Sequence, residues 1–351
     1  MKTAVLVSGG VDSAVALTLL KEAGYDVTAY YLRIWLQDEF TDLGDCPWEE
    51  DILNATRVCE QTGVELKTVS LQTEYWERVV SYTIREIQAG RTPNPDIFCN
   101  SLIKFGEFYK KIDPSYQYVA TGHYAQVEEH DGITLLKRSP DPVKDQTYFL
   151  SYLTQEQLQR ALFPIGSYSK REIRSLAEKY GLYNKNRKDS QGICFLGQIK
   201  FRDFIRYHLG DRPGQIIDLD TGKVMGEHKG YYYYTIGQRS GLGLGGGPWY
   251  VVKKDSTKNQ VYISKKESIL ESARDSFTVS GLHWITGEAP KKERLGVKIR
   301  HAEKIFGCTV TGVGEDQLQV RLDETDKGIA EGQFAVFYDG EYCLGAGVIS
   351  S

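Results

Sequence analysis

The stretch that decides the fold is residues 3–13, which read TAVLVSGGVDS. Its first half, residues 3–7, is a short apolar run that is typical of a buried parallel strand. Residues 12–23 then place apolar side chains at helical spacing, and we expect this helix to end at Gly24. The chain therefore begins with a strand, a glycine-rich loop and a helix.

The same alternation of strand and helix patterns continues along the chain. Strands are predicted at 27–35, 64–70 and 116–121, and a helix is predicted near 49–62. This order indicates a doubly wound α/β fold with a mostly parallel sheet. Because ligands of such sheets bind at the carboxyl ends of the strands, we expect residues 121–123 to lie at the same edge as the glycine-rich loop.

The loop Ser8–Ser13 has the composition of an anion-binding turn. Glycines let the backbone approach a phosphate closely, and the start of the following helix favours negative charge. Ser8 and Ser13 can donate hydroxyl hydrogen bonds, and Asp12 could orient the loop or hold a magnesium ion. The loop has no lysine, so it is not a Walker A loop. The plainer alternative is a glycine-rich turn with a serine cap.

The character of the sequence changes after about residue 200. Residues 211–263 are rich in Gly, Tyr and short alternating runs, which predicts a small central domain. Residues 276–351 indicate a C-terminal β-barrel-like domain. Its strands are predicted at 295–300, 307–313, 317–322 and 333–338. The catalytic, central and barrel domains are accordingly assigned to residues 1–200, 201–270 and 271–351.

Charge is distributed unevenly over the 351 residues, whose formal net charge is −4. It is −9 over residues 1–150, +11 over 151–300 and −6 over 301–351. A basic middle section favours a surface that faces a polyanion, although charge varies along any chain and this signal alone leaves both readings open. No apolar run approaches the roughly 20 residues of a membrane span, so no membrane partner is expected.

The use of cysteine fits a reduced compartment. The chain has 6 cysteines, none in a C-x-x-C pair, which disfavours a zinc ribbon, a thioredoxin-like site and a disulfide scaffold. The strand pattern that follows Met1-Lys2 directly leaves no room for a signal peptide. We therefore expect a cytoplasmic location. An organellar protein whose leader has been removed would have the same kind of sequence.

Two segments present a cysteine in a setting that suits chemistry. In RTPNPDIFCN, residues 91–100, Asn94 is a natural helix N-cap, Pro95 suits the first helical position, and Asp96 lies three residues before Cys99 on the same face. The early helical position would help Cys99 to ionise, and Asp96 could exchange a proton beside it.

The second segment, residues 188–197, carries Cys194 between glycines, which predicts a sharply turned stretch where a thiol can be reached. Either cysteine alone is more often a small buried apolar residue. We expect no redox role for Cys46 or Cys59.

These features together carry a family resemblance. The Ser8–Ser13 loop resembles that of the PP-loop ATP pyrophosphatases, which adenylate a substrate and release pyrophosphate, but it does not choose among them. Over nearly its whole length the chain resembles the tRNA-specific 2-thiouridylase family. The motifs that carry this likeness are GRTPNPDIFCN (90–100), ATGHY (120–124), KDQTYFL (144–150), RKDSQGICF (187–195), GQRSGLGLGG (237–246), PWYVV (248–252) and EGQFAVFYDGEYCLGAGVI (331–349).

The resemblance implies a reaction and a catalytic set. The reaction is ATP-dependent 2-thiolation of the wobble uridine, U34, of tRNA through O2-adenylation, with release of AMP and pyrophosphate. Cys99 would be the nucleophile, Cys194 would carry a persulfide, and a transient disulfide would join them. Asp96 would act as acid or base, and Asn94, Pro95 and Asp96 would border the target base.

The resemblance also implies ligands. ATP with magnesium is the expected cofactor, and its expected contacts are Leu6, Val7, Ser8, Gly9, Gly10, Val11, Asp12, Ser13, Leu32 and Gly122. Further contacts with tRNA are expected from His123, Lys144, Asp145, Gln146, Arg300, His301 and Gln333. Position 301 departs from the family pattern, where we expect Tyr. Lysine, glutamate and glutamine acceptor tRNAs and a persulfide donor, such as a cysteine desulfurase or a sulfur-relay protein, are the implied partners.

Plainer alternatives remain for single positions. From position alone His123 could be a structural histidine, and Lys144–Gln146 could be a solvated loop. Residues 241–246 match G-x-G-x-x-G, but a strand pattern follows instead of a helix, so we reject a dinucleotide site. Tyr231–Tyr234 is interpreted as alternating strand packing, and residues 35–48 as a lid or an extra loop.

Two rival functions remain open. One is an ATP-pyrophosphatase ligase that acts on a small metabolite, which would need neither a basic section nor paired cysteines. The other is a non-catalytic tRNA-binding protein with a relic nucleotide fold.

Overall fold

The computed structural model of the chain describes residues 1–34, 48–189, 201–265, 273–313 and 316–350. Cys194, Cys46 and nearly all of the segment 35–48 lie outside the described residues. Within them no helix is both long enough and apolar enough to cross a bilayer.

A parallel sheet forms the centre of the first domain, which confirms the predicted α/β class. Among the described residues its strands are arranged β3-β2-β1-β4-β7, and every neighbouring pair is parallel. Their bounds are β1 Lys2–Leu6, β2 Asp26–Arg33, β3 Leu66–Ser70, β4 Tyr118–Ala120 and β7 Ala161–Leu162.

Alternating residues of β1 show that both faces of this sheet are covered. Ala4 and Leu6 belong to one apolar core, whereas Val5, and Val7 just after the strand, belong to another. This is the double winding that the order of elements predicts. The helices of this domain are Val11–Glu22, Trp48–Thr62, Gln72–Tyr75 with Trp76–Val80 and Ser81–Gln88, Pro95–Phe98 with Cys99–Glu107 and Phe108–Lys111, Thr147–Leu150, Gln155–Gln159 and Lys170–Lys179.

The segment 95–111 is one continuous helix, which we call the cysteine helix. Asn94 occupies its N-cap position and Pro95 its first turn, as predicted, but the Asn94 side chain makes no capping bond. From Cys99 to Glu107 the backbone is π-helical. Widened turns of this kind are rare and are frequent at functional sites.

The central domain holds the helix Phe201–Leu209 and a sheet in the order β10-β11-β8-β9. These strands are β8 Gly214–Asp218, β9 Val224–His228, β10 Trp249–Asp255 and β11 Gln260–Lys265. The prediction for Tyr231–Tyr234 is wrong in its backbone, because Tyr231–Tyr233 forms a short 3-10 turn. Strand β10 follows the glycine-rich run 241–246, so the strand that we predicted after this run is confirmed.

The C-terminal domain is a closed barrel of six strands, arranged β12-β15-β14-β13-β16-β17 with β17 pairing back to β12. The four predicted strands are present, with bounds shifted by a few residues. The barrel strands are β12 Arg274–Trp284, β13 Arg294–Lys298, β14 Phe306–Gly312, β15 Gln317–Asp326, β16 Phe334–Asp339 and β17 Tyr342–Ser350.

A hairpin of the first domain extends this barrel, which the sequence did not predict. It consists of β5 Ala125–His130 and β6 Ile133–Arg138. Strand β6 pairs with β17 through Lys137 opposite Tyr342 and Leu136 opposite Cys343. The catalytic and barrel parts therefore share a sheet.

Candidate functional site

A cavity of about 350 Å³ opens at the carboxyl ends of β1, β2 and β4. Nine of the ten residues that we predicted to contact ATP line it, which are Leu6, Val7, Ser8, Gly10, Val11, Asp12, Ser13, Leu32 and Gly122. Gly9 does not line the cavity. A Cβ atom on Gly9 would stand 2.3 Å from the Asp51 carbonyl oxygen, so this glycine permits a close contact between the loop and the backbone of Asp51.

Hydrogen bonds between its two serines shape the loop. The Ser13 hydroxyl accepts from the Ser8 backbone N–H at 3.2 Å and donates to the Gly10 carbonyl at 3.0 Å. The Ser8 hydroxyl lies 3.4 Å from the Ser13 hydroxyl. The helix Val11–Glu22 begins directly after the loop, so its N-terminus and positive dipole end face the cavity.

Gly122 brings the end of β4 against this loop. A Cβ atom at Gly122 would lie 2.7 Å from the Ser13 nitrogen and 2.8 Å from the Asp12 carbonyl carbon. A side chain at this position would displace the loop or the strand end. The predicted meeting of residues 121–123 with the loop is confirmed.

Cys99 lines the same cavity, although only 1% of the residue is exposed. The cysteine helix places Cys99 beside the nucleotide loop and Lys104 further along the same wall. Since Cys194 lies outside the described residues, its predicted pairing with Cys99 stays a prediction.

The remaining described cysteines have a different environment. Burial raises the pKa of the Cys59 thiol to about 11 and that of Cys308 to about 12, and it raises the pKa of Cys343 further still. These three thiols therefore stay protonated at neutral pH and are poor nucleophiles.

His123 is buried at the inner end of the cavity. Its Nδ1 atom lies 2.7 Å from the Thr121 hydroxyl. Burial, with the nearby Lys104 charge, lowers the pKa of His123 well below the usual range, so the imidazole is neutral at pH 7. We predicted that His123 contacts tRNA; its ring lines the cavity beside Cys99.

A second group of predicted residues meets at the start of the cysteine helix. The Tyr148 hydroxyl donates to the Phe334 carbonyl at 3.1 Å and lies 3.5 Å from Gln333, with the Asn94 side chain beside it. His301 packs on the Phe149 ring at 4.5 Å between centroids. The His301 ring, which stands where the family pattern has Tyr, therefore packs against another ring of the protein itself.

Asp96 also belongs to this group. Its Oδ1 atom is buried and has no hydrogen-bond partner in the described structure. The Asp96 charge acts on His301, which shows that the two side chains are near each other. Arg300, the neighbour of His301, forms an exposed ion pair with Asp326 at 2.8 Å.

The tripeptide 144–146 divides between the cavity and the barrel. Lys144 and Gln146 line the cavity. Asp145 is fully buried and accepts from Lys298 Nζ at 2.9 Å, with neither side chain exposed. Arg138 adds a contact at 3.2 Å. The expected contact of Asp145 with tRNA does not fit this placement, because its carboxylate holds the barrel to the first domain.

Asp12 is engaged by groups that the sequence did not point to. Lys170 Nζ donates to both Asp12 oxygens, at 2.7 and 2.9 Å, and the Tyr124 hydroxyl donates at 2.9 Å. Lys170 also contacts Asp189 at 2.8 Å, and Asp189 in turn contacts Lys144 at 2.8 Å. Neither spacing nor motif brings these residues together, since they come from distant parts of the chain.

Comparisons with known proteins match the chain along its length. It matches the family models tRNA methyl transferase HUP domain over residues 1–198, tRNA methyl transferase PRC-barrel domain over 202–265 and aminomethyltransferase beta-barrel domain over 274–349.

Among curated proteins, it is 47% identical to a tRNA-specific 2-thiouridylase of Parabacteroides distasonis, with 99% of each chain covered. It is 44% identical to a tRNA-specific 2-thiouridylase of Bacteroides thetaiotaomicron, with 100% of each covered. A solved 4-thiouridine synthetase–RNA complex with bound ATP is 16% identical, at a TM-score of 0.34, over 57% of this chain and 45% of that one.

Proposed function

The chain belongs to the tRNA-specific 2-thiouridylase family, and from this premise we propose that it replaces the O2 oxygen of the wobble uridine, U34, with sulfur at the cost of one ATP. The observation that carries the proposal is that Cys99 lines the same cavity as the Ser8–Ser13 loop. An adenylated base and a sulfur nucleophile would need such a shared space.

Activation of the base comes first. The uridine O2 oxygen is a poor leaving group, so it attacks the α-phosphorus of ATP. The α–β phosphoanhydride bond breaks and pyrophosphate leaves. Backbone N–H groups at the start of the helix Val11–Glu22 and the Ser8 and Ser13 hydroxyls would stabilise the phosphate charge. O2 now belongs to AMP, which is a good leaving group.

Sulfur transfer follows and requires both cysteines. The terminal sulfur of a persulfide on Cys194 attacks C2, the C2–O2 bond breaks, and AMP departs with its electrons. The Cys99 thiolate then attacks the Cys194 Sγ atom, which forms a Cys99–Cys194 disulfide and releases 2-thiouridine. The two thiols supply the electrons that reduce the transferred sulfur, and a thiol reductant must later restore them.

Asp96 would serve the base. Its unused, buried Oδ1 atom suits a proton acceptor or a hydrogen-bond partner for the uridine ring once the base is flipped from its stack. Asn94 and Pro95 would border the base. His123, Lys144, Gln146, Arg300, His301 and Gln333 remain the proposed tRNA contacts, some of them reached only after local rearrangement.

Magnesium would offset the charge of the phosphates when it is bound. The described residues contain no group of three or more His, Cys, Asp or Glu side chains that could hold a metal. Asp12 is the acidic side chain of the loop, and Lys170 occupies both of its oxygens. We therefore propose that the ion arrives with ATP and is held chiefly by the triphosphate.

The partners follow from the reaction. A cysteine desulfurase or a sulfur-relay protein would load Cys194, and lysine, glutamate and glutamine tRNAs would be the acceptors. A reducing cytoplasm would keep Cys99 as a thiol between turnovers.

The test measures pyrophosphate release and the nucleosides of the tRNA in one reaction. Cys194→Ser should abolish 2-thiouridine while tRNA-dependent pyrophosphate release stays detectable, and Cys99→Ser should block turnover. Cys308→Ala, in the barrel, is the matched control and should behave as the wild type. Thiouridine formed by Cys194→Ser would refute the persulfide role.

The same assay separates the rival functions. Pyrophosphate released equally without tRNA would indicate a small-metabolite ligase, and no pyrophosphate with intact tRNA binding would indicate a binding protein. A methylated nucleoside, which the names of the family models suggest, would be seen in the same mass spectrum.

A further inference from the structure

Lys170 occupies a position behind the wall of the nucleotide cavity. We infer that Lys170 is a positioning residue that neutralises the Asp12 carboxylate, which would otherwise repel the ATP polyphosphate, and links it to Asp189. The inference rests on the proposed use of ATP and adds a residue to its binding site. It goes beyond the loop, which contains no lysine of its own.

Lys170 bridges two acids, of which Asp189 is also paired with Lys144 and Arg174. Lys170 Nζ lies 2.7 and 2.9 Å from the Asp12 oxygens and 2.8 Å from Asp189 Oδ1. Both acids line the cavity, whereas Lys170 does not. Only 16% of its side chain is exposed, so solvent screens these contacts less than it would on an open surface.

The lysine is held in this position by its own helix. Lys170 is the first residue of the helix Lys170–Lys179, whose start is fixed by a capping box between Ser169 and Glu172. The Lys170 backbone N–H also donates to Asp141 at 3.0 Å. These hydrogen bonds hold the backbone of Lys170, from which the ammonium group reaches the two acids.

The balance of charge explains why the lysine is needed. Asp12 stands in the first turn of the helix whose N-terminus would receive phosphate. A carboxylate there without a cation would repel a polyphosphate at short range. Asp189 also stays ionised: burial alone would raise its pKa, but Lys144 and Lys170 lower it well below the usual range. Removal of Lys170 leaves the Asp12 carboxylate without its cation, whereas Asp189 keeps Lys144 and Arg174.

The experiment compares two ligands of different charge. Equilibrium binding of α,β-methylene-ATP, which is not cleaved at the reacting bond, and of adenosine is measured for wild type, Lys170→Met and Lys170→Arg. We expect Lys170→Met to weaken α,β-methylene-ATP by about tenfold or more and adenosine by less than about threefold. Lys170→Arg should stay near wild type. Arg171→Met, which removes a charge from an exposed position of the same turn, is the matched control and should change neither ligand.

Three outcomes decide the inference. Asp12→Asn added to Lys170→Met should restore part of the lost affinity, because it removes the unpaired charge. Equal weakening of both ligands by Lys170→Met would assign the lysine a structural role, and affinity equal to that of Arg171→Met would also overturn the inference. If Lys170→Met does not fold, Lys170→Gln is compared in the same way. A wild type that binds no α,β-methylene-ATP would instead overturn the proposed function.

Discussion

Access to the cavity separates Cys99 from the other described cysteines, which are buried to a similar degree. Burial raises the pKa of the thiols of Cys59, Cys308 and Cys343, none of which lines the cavity, whereas Cys99 does line it. His123 is neutral for the same reason, because burial disfavours its charged form. His123 can therefore exchange a hydrogen bond with Thr121 but adds no positive charge to the nucleotide site.

The pKa of His123 predicts a loss of stability in acid. Below a pH of about 6.5 the unfolded chain gains a proton that the folded one does not bind, so stability falls by up to about 1.4 kcal/mol per pH unit for this group. His123→Gln should flatten the decline of the melting midpoint between pH values of about 7 and 5. His130→Gln, at an exposed hairpin position, is the control, and an unchanged slope in His123→Gln would contradict the prediction.

Gly122 predicts a steric effect on the nucleotide loop. Gly122→Ala would place a methyl group 2.7 Å from the Ser13 nitrogen, so we expect loss of ATP binding with tRNA binding retained. Gly245→Ala is the matched control, because a Cβ atom at Gly245 meets nothing within 4 Å. Equilibrium binding of both ligands checks this, and normal ATP affinity in Gly122→Ala would be incompatible with the close contact.

The sequence predicts site residues that share a local motif, but it does not predict partners from distant parts of the chain. Ser8–Ser13 and Cys99 could be predicted because each motif keeps its residues together in the chain. Lys170 and Asp189 could not, because only the folded chain brings them to Asp12. The roles assigned to Cys194 and to the tRNA contacts stay predictions.

Secondary-structure elements were predicted best where a repeating pattern sets them. Strand β1, the helix Val11–Glu22 and the barrel strands follow from apolar spacing. The strand predicted at Tyr231–Tyr233 is absent because Gly230, at a φ of 159°, begins a tight turn there. This turn overrides the tendency of tyrosine to form strands. We did not predict the hairpin β5–β6, and its place in the barrel depends on pairing with β17, which is a long-range contact.

A buried ion pair joins the segment that follows this hairpin to the barrel. Asp145→Asn would leave Lys298 buried without its counter-charge, and breaking such a pair usually costs about 3–5 kcal/mol. We expect a large fall in the free energy of unfolding, measured with a chemical denaturant. Asp339→Asn, which breaks the exposed pair with Lys292, should cost no more than about 1 kcal/mol. If the two variants lowered the free energy of unfolding equally, the buried pair would have no special structural role.

Along the whole molecule, the net charge is positive in the middle of the chain and negative in the sections on either side. If this section meets tRNA, binding releases counterions and weakens as salt rises, with a logarithmic slope of about −0.7 or more per phosphate neutralised. Adenosine, which is uncharged, is the control ligand and should bind independently of salt. Affinity for tRNA that does not change with salt would contradict the polyanion-facing surface.

At this scale the sequence predicts three kinds of architecture in the right order: a parallel sheet, a small central domain and a barrel. The boundaries at residues 200 and 270 stay predictions. The sheet shared by β6 and β17 shows that the first and third parts are joined more closely than a linear division suggests.

The proposed reaction requires that the uridine oxygen leaves as part of AMP. The most direct measurement uses tRNA whose target uridine carries a heavy oxygen isotope at O2, with ATP, magnesium and a persulfide donor. Mass spectrometry of the products should find 2-thiouridine in the tRNA and the heavy oxygen in AMP, in equal amounts. Heavy oxygen in water or pyrophosphate, with unlabelled AMP, would contradict the account.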